Sequence, residues 1–136
     1  MNEIFQVTPG ELADANAIDI VAVMVKSLDA KKASDIKVLR IEEKTVLADY
    51  FVICNGTSTT QVKTLADEVE YQLNRGNAPY VRFEGNDCID WKVVDTKDVI
   101  LHVFTNEARE YYKLEKLWAD AEEININNFL NNSTEE

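Results

Sequence analysis

The chain has 136 residues, of which 46% are hydrophobic and 29% charged, and its formal net charge is −11. This length fits one domain with a modest core, and the composition is that of a soluble globular protein without a membrane span. The acidity is concentrated in residues 1–20 and 119–136, which contain no lysine or arginine, so the rest of the chain is nearly neutral. Without a basic surplus, direct binding of DNA or RNA is not expected.

The N-terminus gives an expectation about the compartment. Its first lysine is Lys26, so it lacks the basic start of a secretory signal and the arginines of an organellar transit peptide. Cytoplasmic localisation is therefore predicted.

The first half of the chain predicts two helices with two strands between them. Apolar residues recur at helical spacing in both helical segments, and Ser58 and Gln61 have the spacing of a capping box at the start of the second. One strand is apolar almost throughout, which predicts a central strand covered on both faces. In chain order, these elements are a helix over residues 17–31, a strand at or near a sheet edge over 35–42, the central strand over 49–56 and a helix over 59–75.

The second half predicts three short strands and a final helix. The segments "WKVVD" and "VILHVF" flank a turn-like tetrad, Asp95 to Asp98, and are expected to form a hairpin. The chain after Asn125 is expected to be loose. The order αββαβββα predicts an α/β fold in which helices pack on a mixed β-sheet of about five strands. The final helix is predicted over residues 106–121 with Tyr111, Leu114, Leu117, Trp118 and Ala121 toward the core.

The stretch "EGNDCIDWKVVDTKDVILHVF", residues 84–104, holds five carboxylates, one indole and the only histidine of the chain. Two-metal nucleotidyl transfer needs carboxylates at positions i and i+2 of a strand, and no such pair occurs here. Zinc is disfavoured because paired cysteine or histidine ligands are missing. A Cys54–His102 nucleophilic pair is disfavoured because Cys54 lies in an apolar strand, where a thiolate is poorly stabilised. No metal and no cofactor are predicted.

The segment "CNGTSTTQ" is a second candidate for a functional site. A strand enters a glycine turn and then a helix, which is an arrangement that presents backbone N–H groups to anions. The segment lacks the lysine of a P-loop and the full GxGxxG pattern. The favoured interpretation is a well-capped strand-to-helix connection.

Two side chains of the 84–104 stretch leave alternatives open. His102 lies in the middle of a strand, where an imidazole is more often a hydrogen-bonded structural residue than a catalyst. Trp91 begins a strand directly after the polar loop "GNDCID". It is either a core residue or a partly exposed anchor for a partner.

Three blocks of the sequence together resemble the ribosomal silencing factor family, also called Iojap-like or RsfS proteins. They are "LADYFVICNGTSTTQV", "EGNDCIDWKVVDTKDVILHVF" and "REYYKLEKLW", and the likeness covers residues 17–118. It implies an α/β fold related to nucleotidyltransferases but without their catalytic carboxylates. It divides the chain into an N-terminal extension (1–16), the family domain (17–121) and an acidic, asparagine-rich tail (122–136).

The resemblance also implies a function by binding rather than by catalysis. Proteins of this family dock on ribosomal protein fourteen of the large ribosomal subunit, block joining of the small subunit and so lower translation in starvation or stationary phase; when free they are homodimers. The alternative from another class is a nucleotide-binding enzyme of the nucleotidyltransferase type. Lys97 stands where the family usually has glycine. The residues implied to face the partner are Glu84, Gly85, Asp90, Trp91, Asp95, Asp98 and His102.

Overall fold

The computed structural model describes residues 5–130, within which five helices and six strands occur. The helices are α1 (Ala17–Ala30), α2 (Thr59–Arg75), α3 (Asn106–Tyr112), α4 (Leu114–Leu117) and α5 (Asn127–Leu130). The strands are β1 (Ser34–Arg40), β2 (Tyr50–Gly56), β3 (Arg82–Glu84), β4 (Trp91–Asp95), β5 (Val99–Thr105) and β6 (Glu122–Ile124). The predicted α/β class is confirmed, although the described part has one strand more than expected.

The sheet is mixed and open, with the strand order β3-β4-β5-β2-β1-β6. Strands β2 and β5 are parallel, and every other neighbouring pair in this sheet is antiparallel. The predicted hairpin of β4 and β5 is confirmed, and β2 is central and buried from Phe51 to Gly56. Strand β1 is not the outermost strand, because β6 pairs with its other side.

Helices α1 and α2 cover one face of the sheet. Asn16 begins α1 with a complete capping box, in which Asn16 and Asp19 exchange side chain to backbone bonds. Ser58 caps α2 by accepting from the backbone N–H of Gln61 at 3.0 Å, but the Gln61 amide oxygen accepts from Thr57 instead of completing a box. The apolar sides of both helices pack on the sheet in the larger core cluster, which supplies most of the hydrophobic stabilisation.

The N-terminal segment 5–16 packs on the end of α2. Val7 and Leu12 are buried, and the backbone N–H of Val7 donates to the Gln72 side-chain oxygen at 2.8 Å. A Cβ on Gly76 would come within 2.7 Å of Leu12 and 2.8 Å of Val7, so glycine is needed for this close approach. The division of the chain at residue 17 stays a prediction, but the described part of the extension belongs to the core.

The C-terminal segment contradicts the expectation that the chain is loose after Asn125. Helix α5 lies in that region and contacts α1, and its Phe129 is only 7% exposed within the larger core cluster. Ile124 and Ile126 pack against the same cluster. Residues 1–4 and 131–136, the outer ends of the predicted extension and tail, lie outside the described residues.

The predicted helix 106–121 is wrong in its continuity and partly in its buried face. Lys113 has a φ of 49°, in the left-handed region, and separates α3 from α4. The chain bends there, so Tyr111 and Leu117 are exposed by 79% and 76%. Leu114, Trp118 and Ala121 do pack on the sheet as predicted, in the smaller core cluster on the face opposite α1 and α2.

Candidate partner-binding face

The second face of the sheet is covered by helices only in part. Strand register places alternate residues of β3, β4 and β5 on this face, opposite the layer of α1 and α2. Helix α3 contacts β5 and β2, and Leu114 of α4 packs in the smaller core cluster, so the outer side chains stay partly exposed. We call these partly exposed side chains the open face. Its members are Glu84, Trp91, Val93, Asp95 and Ile100.

Trp91 is the largest side chain of the open face, and it rests on other aromatic rings. Its ring centroid lies 4.7 Å from that of Tyr112, 4.9 Å from Phe104 and 5.9 Å from His102. Phe104 is fully buried, whereas Trp91 and Tyr112 retain exposed surface. The tryptophan is therefore neither a core residue nor a free surface residue. It is a supported aromatic side chain with one side available to a partner, which is the geometry expected of an anchor.

His102 lies beneath the open face and is 8% exposed. Its Nδ1 accepts a hydrogen bond of 3.1 Å from the indole Nε1 of Trp91. Burial lowers the pKa of His102 to about 4, so the imidazole is neutral near pH 7. The expectation of a hydrogen-bonded structural histidine agrees with this geometry, and direct contact of His102 with a partner would require movement of the side chains that cover it.

Gly85 and Asp90 hold the loop that leads into Trp91. Gly85 has a φ of 95°, and a Cβ there would lie 2.6 Å from the carbonyl oxygen of Trp91. Both the backbone conformation and the close approach require glycine. The Gly85 carbonyl accepts from the Lys92 ammonium at 2.8 Å, and the Asp90 carbonyl accepts from the Thr105 N–H at 3.0 Å. These two predicted site residues thus fix the position of the strand that carries Trp91.

The hairpin turn places two aspartates at one end of the open face. Asp95 accepts from the backbone N–H of Lys97 at 2.7 Å, and Lys97 has a φ of 74°. The ammonium of Lys97 lies 4.7 Å from the ring centroid of Tyr80. Lysine at the usual glycine position therefore keeps a left-handed turn conformation and gains a cation–π contact that glycine could not make. Asp98 is exposed at the rim.

A shallow pocket of about 370 Å³ adjoins the open face at this turn. Its wall is formed in part by the exposed loop residues Val46 and Leu47, which the sequence reasoning did not select. Partial burial, and next the charge of Asp98, raise the pKa of the Asp49 carboxyl on the same wall. Beside its apolar edge, the pocket is lined by three carboxylates and one ammonium, those of Asp49, Asp95, Asp98 and Lys97. Tyr112, on which the Trp91 ring packs, was not predicted from the sequence as a site residue either. A helical pattern does not show which strand residue a helix will contact.

The catalytic alternatives do not gain geometric support. Cys54 faces the layer of α1 and α2, whereas His102 pairs in register with Ile53 and faces the other way, so the two cannot form a nucleophile–base pair. Burial also raises the pKa of the Cys54 thiol to about 12. In "CNGTSTTQ", the N–H and hydroxyl of Thr57 are engaged by Gln61 at 2.7 and 3.0 Å.

The described part of the chain contains neither a metal-binding cluster nor a membrane-spanning helix. Within residues 5–130, no group of three or more His, Cys, Asp and Glu side chains is arranged to hold a metal ion. None of the helices between those limits is long and apolar enough to cross a membrane.

Comparison with known proteins identifies the family. The family model described as ribosomal silencing factor during starvation matches residues 14–136. The chain belongs to the ribosomal silencing factor family. Ribosomal silencing factor RsfS of Bacillus subtilis is 41% identical over 106 residues, which cover 78% of this chain and 90% of that protein. RsfS of Haemophilus influenzae is 36% identical over 74% of this chain and 98% of its own length.

The chain is also similar to a mouse protein and to two solved bacterial structures. The mouse protein named mitochondrial assembly of ribosomal large subunit protein 1 is 34% identical over 81% of this chain and 50% of its own length. A crystal structure of a Chromobacterium violaceum protein superposes with a TM-score of 0.73 at 32% identity, covering 76% of this chain and 87% of that one. A Bacillus halodurans structure gives a TM-score of 0.69 at 31% identity, covering 79% of this chain and 98% of that one. The resemblance predicted from the sequence blocks is confirmed.

Proposed function

We propose that the protein binds the large ribosomal subunit through ribosomal protein fourteen and sterically blocks joining of the small subunit. Translation would thereby fall in starvation or stationary phase. The observation that carries the proposal is the open face, a partly uncovered sheet surface centred on Trp91, in a chain of the ribosomal silencing factor family. The name of the mouse relative, which refers to assembly of the ribosomal large subunit, supports the choice of subunit.

The chemistry of the open face fits a basic protein partner. Trp91, Val93 and Ile100 supply an apolar centre, and carboxylates stand around it. An interface of this type derives affinity from the desolvated aromatic centre, while rim charges mainly speed encounter and fix orientation. The net charge of −11 favours a basic ribosomal protein over exposed rRNA phosphates. The carboxylates at the rim are Glu84, Asp90, Asp95 and Asp98.

We infer that the activity is steric and needs no catalysis or cofactor. Two carboxylates of the open face already have partners, since Glu84 pairs with Arg82 at 3.1 Å and Asp95 accepts from Lys97. The family role as a silencing factor belongs to no known enzyme class. A reproducible thermal shift produced by one nucleoside triphosphate with Mg²⁺ would instead favour the nucleotidyltransferase-type alternative.

Sucrose-gradient sedimentation tests the proposal directly. Purified protein is expected to co-sediment with isolated large subunits and not with small subunits. Added before the two subunits are mixed, it should lower the peak of joined ribosomes in proportion to the large subunits occupied. Protein that stays at the top of the gradient with intact large subunits would refute the proposal. Binding without any effect on joining would refute its steric part.

A charge-reversal pair tests the rim. Asp98→Lys alters an exposed carboxylate at the edge of the open face, whereas Glu70→Lys makes the same charge change on α2, behind the sheet. We expect Asp98→Lys to weaken large-subunit binding roughly three- to tenfold, mostly through slower association at low salt. Glu70→Lys should stay within about twofold of the unaltered protein. Equal effects of both changes would show that only net charge matters and that the open face is not the docking surface.

We further propose that the free protein is a cytoplasmic homodimer, as the family resemblance implies. Exposed apolar side chains such as Val46 and Leu117 are compatible with self-association. Light scattering coupled to size-exclusion chromatography tests this: a mass of twice 15.5 kDa is expected. A monomer at micromolar concentration would contradict the dimer and leave the ribosome-binding proposal intact.

A further inference from the structure

The indole of Trp91 has one polar atom, and that atom is turned inward. Its Nε1 donates to Nδ1 of His102 at 3.1 Å, in a partly buried setting. An indole N–H has no other hydrogen-bonding capacity, so this bond satisfies the side chain completely. The edge that carries the N–H therefore faces the sheet, and the surface left to a partner is hydrocarbon.

The acceptor for this bond is held firmly. His102 lies in β5, opposite Val93, with 8% of its surface exposed. The Phe51 ring meets it edge-on at 4.7 Å, and Phe104 lies nearly parallel to it at 6.3 Å. Rings packed in this way leave the imidazole little freedom to rotate, so Nδ1 has a fixed position and direction.

The bond to Trp91 also fixes the tautomer of His102. Because Nδ1 accepts, the neutral ring carries its proton on Nε2. Nε2 is buried and has no acceptor among the groups of residues 5–130. No second protein contact in that part of the chain therefore selects the tautomer. The Trp91–His102 pair is a coupled unit in which each side chain defines the state of the other.

We propose that His102 is a positioning residue for Trp91, which orients the indole on the open face before the partner arrives. This inference rests on the proposed function, because it assigns His102 an indirect role at the same surface. An unanchored tryptophan would sample several rotamers and would have to be ordered on binding. A prepositioned one avoids this entropic cost, as expected for preorganised hot-spot residues. His102 then acts through the indole and does not contact the partner.

Two amide substitutions separate this role from a merely structural one. His102→Asn places an amide oxygen near the position of Nδ1 and can still accept from the indole, whereas the amide of His102→Gln lies one bond further out. We expect His102→Gln to weaken large-subunit binding roughly three- to tenfold and His102→Asn to remain within about twofold. In the free protein, the Trp91 indole N–H resonance should shift and exchange faster with solvent in His102→Gln than in His102→Asn. The chain has two tryptophans, and the spectrum of Trp91→Phe assigns the resonance.

A double-mutant cycle completes the test. Phenylalanine at position 91 keeps a ring on Tyr112 and Phe104 but has no N–H, so in the Trp91→Phe background His102→Gln should change binding by less than about twofold. A similar loss in both backgrounds would overturn the proposal, as would unchanged indole resonance and affinity in a folded His102→Gln protein. If the unaltered protein binds no large subunits, the proposed function fails, and the resonance and exchange of the indole N–H still decide whether His102 holds it.

Discussion

Replacing Trp91 by alanine should lower both folding stability and ribosome binding. A fully buried tryptophan costs about 3–5 kcal/mol on truncation to alanine, and a fully exposed one costs less than about 0.5 kcal/mol. Trp91 lies between these limits, because it is partly exposed but rests on Phe104 and Tyr112 at 4.9 and 4.7 Å. Each aromatic pair contributes about 0.5–1.5 kcal/mol beyond burial. The expected loss of unfolding free energy is about 2–3 kcal/mol.

The expected loss in binding is at least about 2 kcal/mol, or roughly thirtyfold in Kd, as for a central aromatic hot spot. Urea unfolding followed by circular dichroism measures the loss of folding stability. Co-sedimentation with isolated large subunits over a concentration series measures the loss in binding. A loss of 2–3 kcal/mol leaves a domain with ordinary stability of about 5–15 kcal/mol largely folded at 25 °C. The two effects can therefore be separated on the same sample.

Tyr71→Ala is the matched control for this experiment. Tyr71 is an aromatic residue on α2, 50% exposed and on the opposite side of the sheet. Its truncation should change stability by less than about 1 kcal/mol and leave binding unchanged. A folded Trp91→Ala protein that binds large subunits with unaltered affinity would refute the assignment of the open face. A stability loss above about 4 kcal/mol would show that the indole is a core residue instead.

Three further predictions concern stability. Burial holds the pKa of His102 in the folded protein at about 4, below its ordinary 6.5, so between these pH values the unfolded chain binds more protons. The free energy of unfolding should therefore fall by up to about 3 kcal/mol as the pH is lowered through this range. Urea unfolding of His102→Asn should lack this component, and the same pH dependence in both proteins would contradict the prediction. Phe129→Ala should lower the free energy of unfolding by about 2–4 kcal/mol, because the ring is buried in the larger core cluster. Asn128→Ala, at the exposed neighbouring position, should lower it by less than about 0.5 kcal/mol. Equal melting temperatures of the two variants would mean that α5 does not pack in solution. Lys113→Gly should raise the free energy of unfolding by about 0.5–1 kcal/mol, because glycine adopts the left-handed backbone at the end of α3 without strain. Lys113→Ala should give no such gain. A destabilised glycine variant in the same unfolding assay would argue against the bend.

The sequence predicts which face each residue of a strand shares with its neighbours, but not whether that face is covered. Alternation within β4 predicts that Trp91 and Asp95 share a face, because side-chain direction in a strand depends only on parity. The register of the β4–β5 pair, which the structure supplies, adds His102 to that face. Whether that face is covered depends on α3 and α4, which come from further along the chain. The partial exposure of Trp91 and the burial of His102 beneath it were therefore beyond the reach of pattern alone.

The helical region after β5 shows the same limit. An apolar pattern predicted one helix over residues 106–121, yet the chain bends at Lys113. Arg109 is buried there and donates from its Nη1 to the Asp35 carbonyl at 2.8 Å and to Asn55 at 2.6 Å, and from its Nε to Glu115 at 3.1 Å. Asp35 and Asn55 belong to distant strands, so no local propensity encodes this anchoring. Trp118 meets Phe51 at 5.5 Å only because the bend returns α4 to the sheet.

Elements with strong local signals can be predicted without the tertiary structure. Helices α1 and α2, the buried strand β2 and the β4–β5 hairpin follow from periodicity, caps and turn residues, each of which acts within a few positions. Tertiary structure alone decided the pairing of β6 with β1 and the burial of Phe129, because a three-residue strand and a one-turn helix have too little local preference to form alone. It also decided the open face, since exposure is a property of what packs against a strand and not of the strand itself.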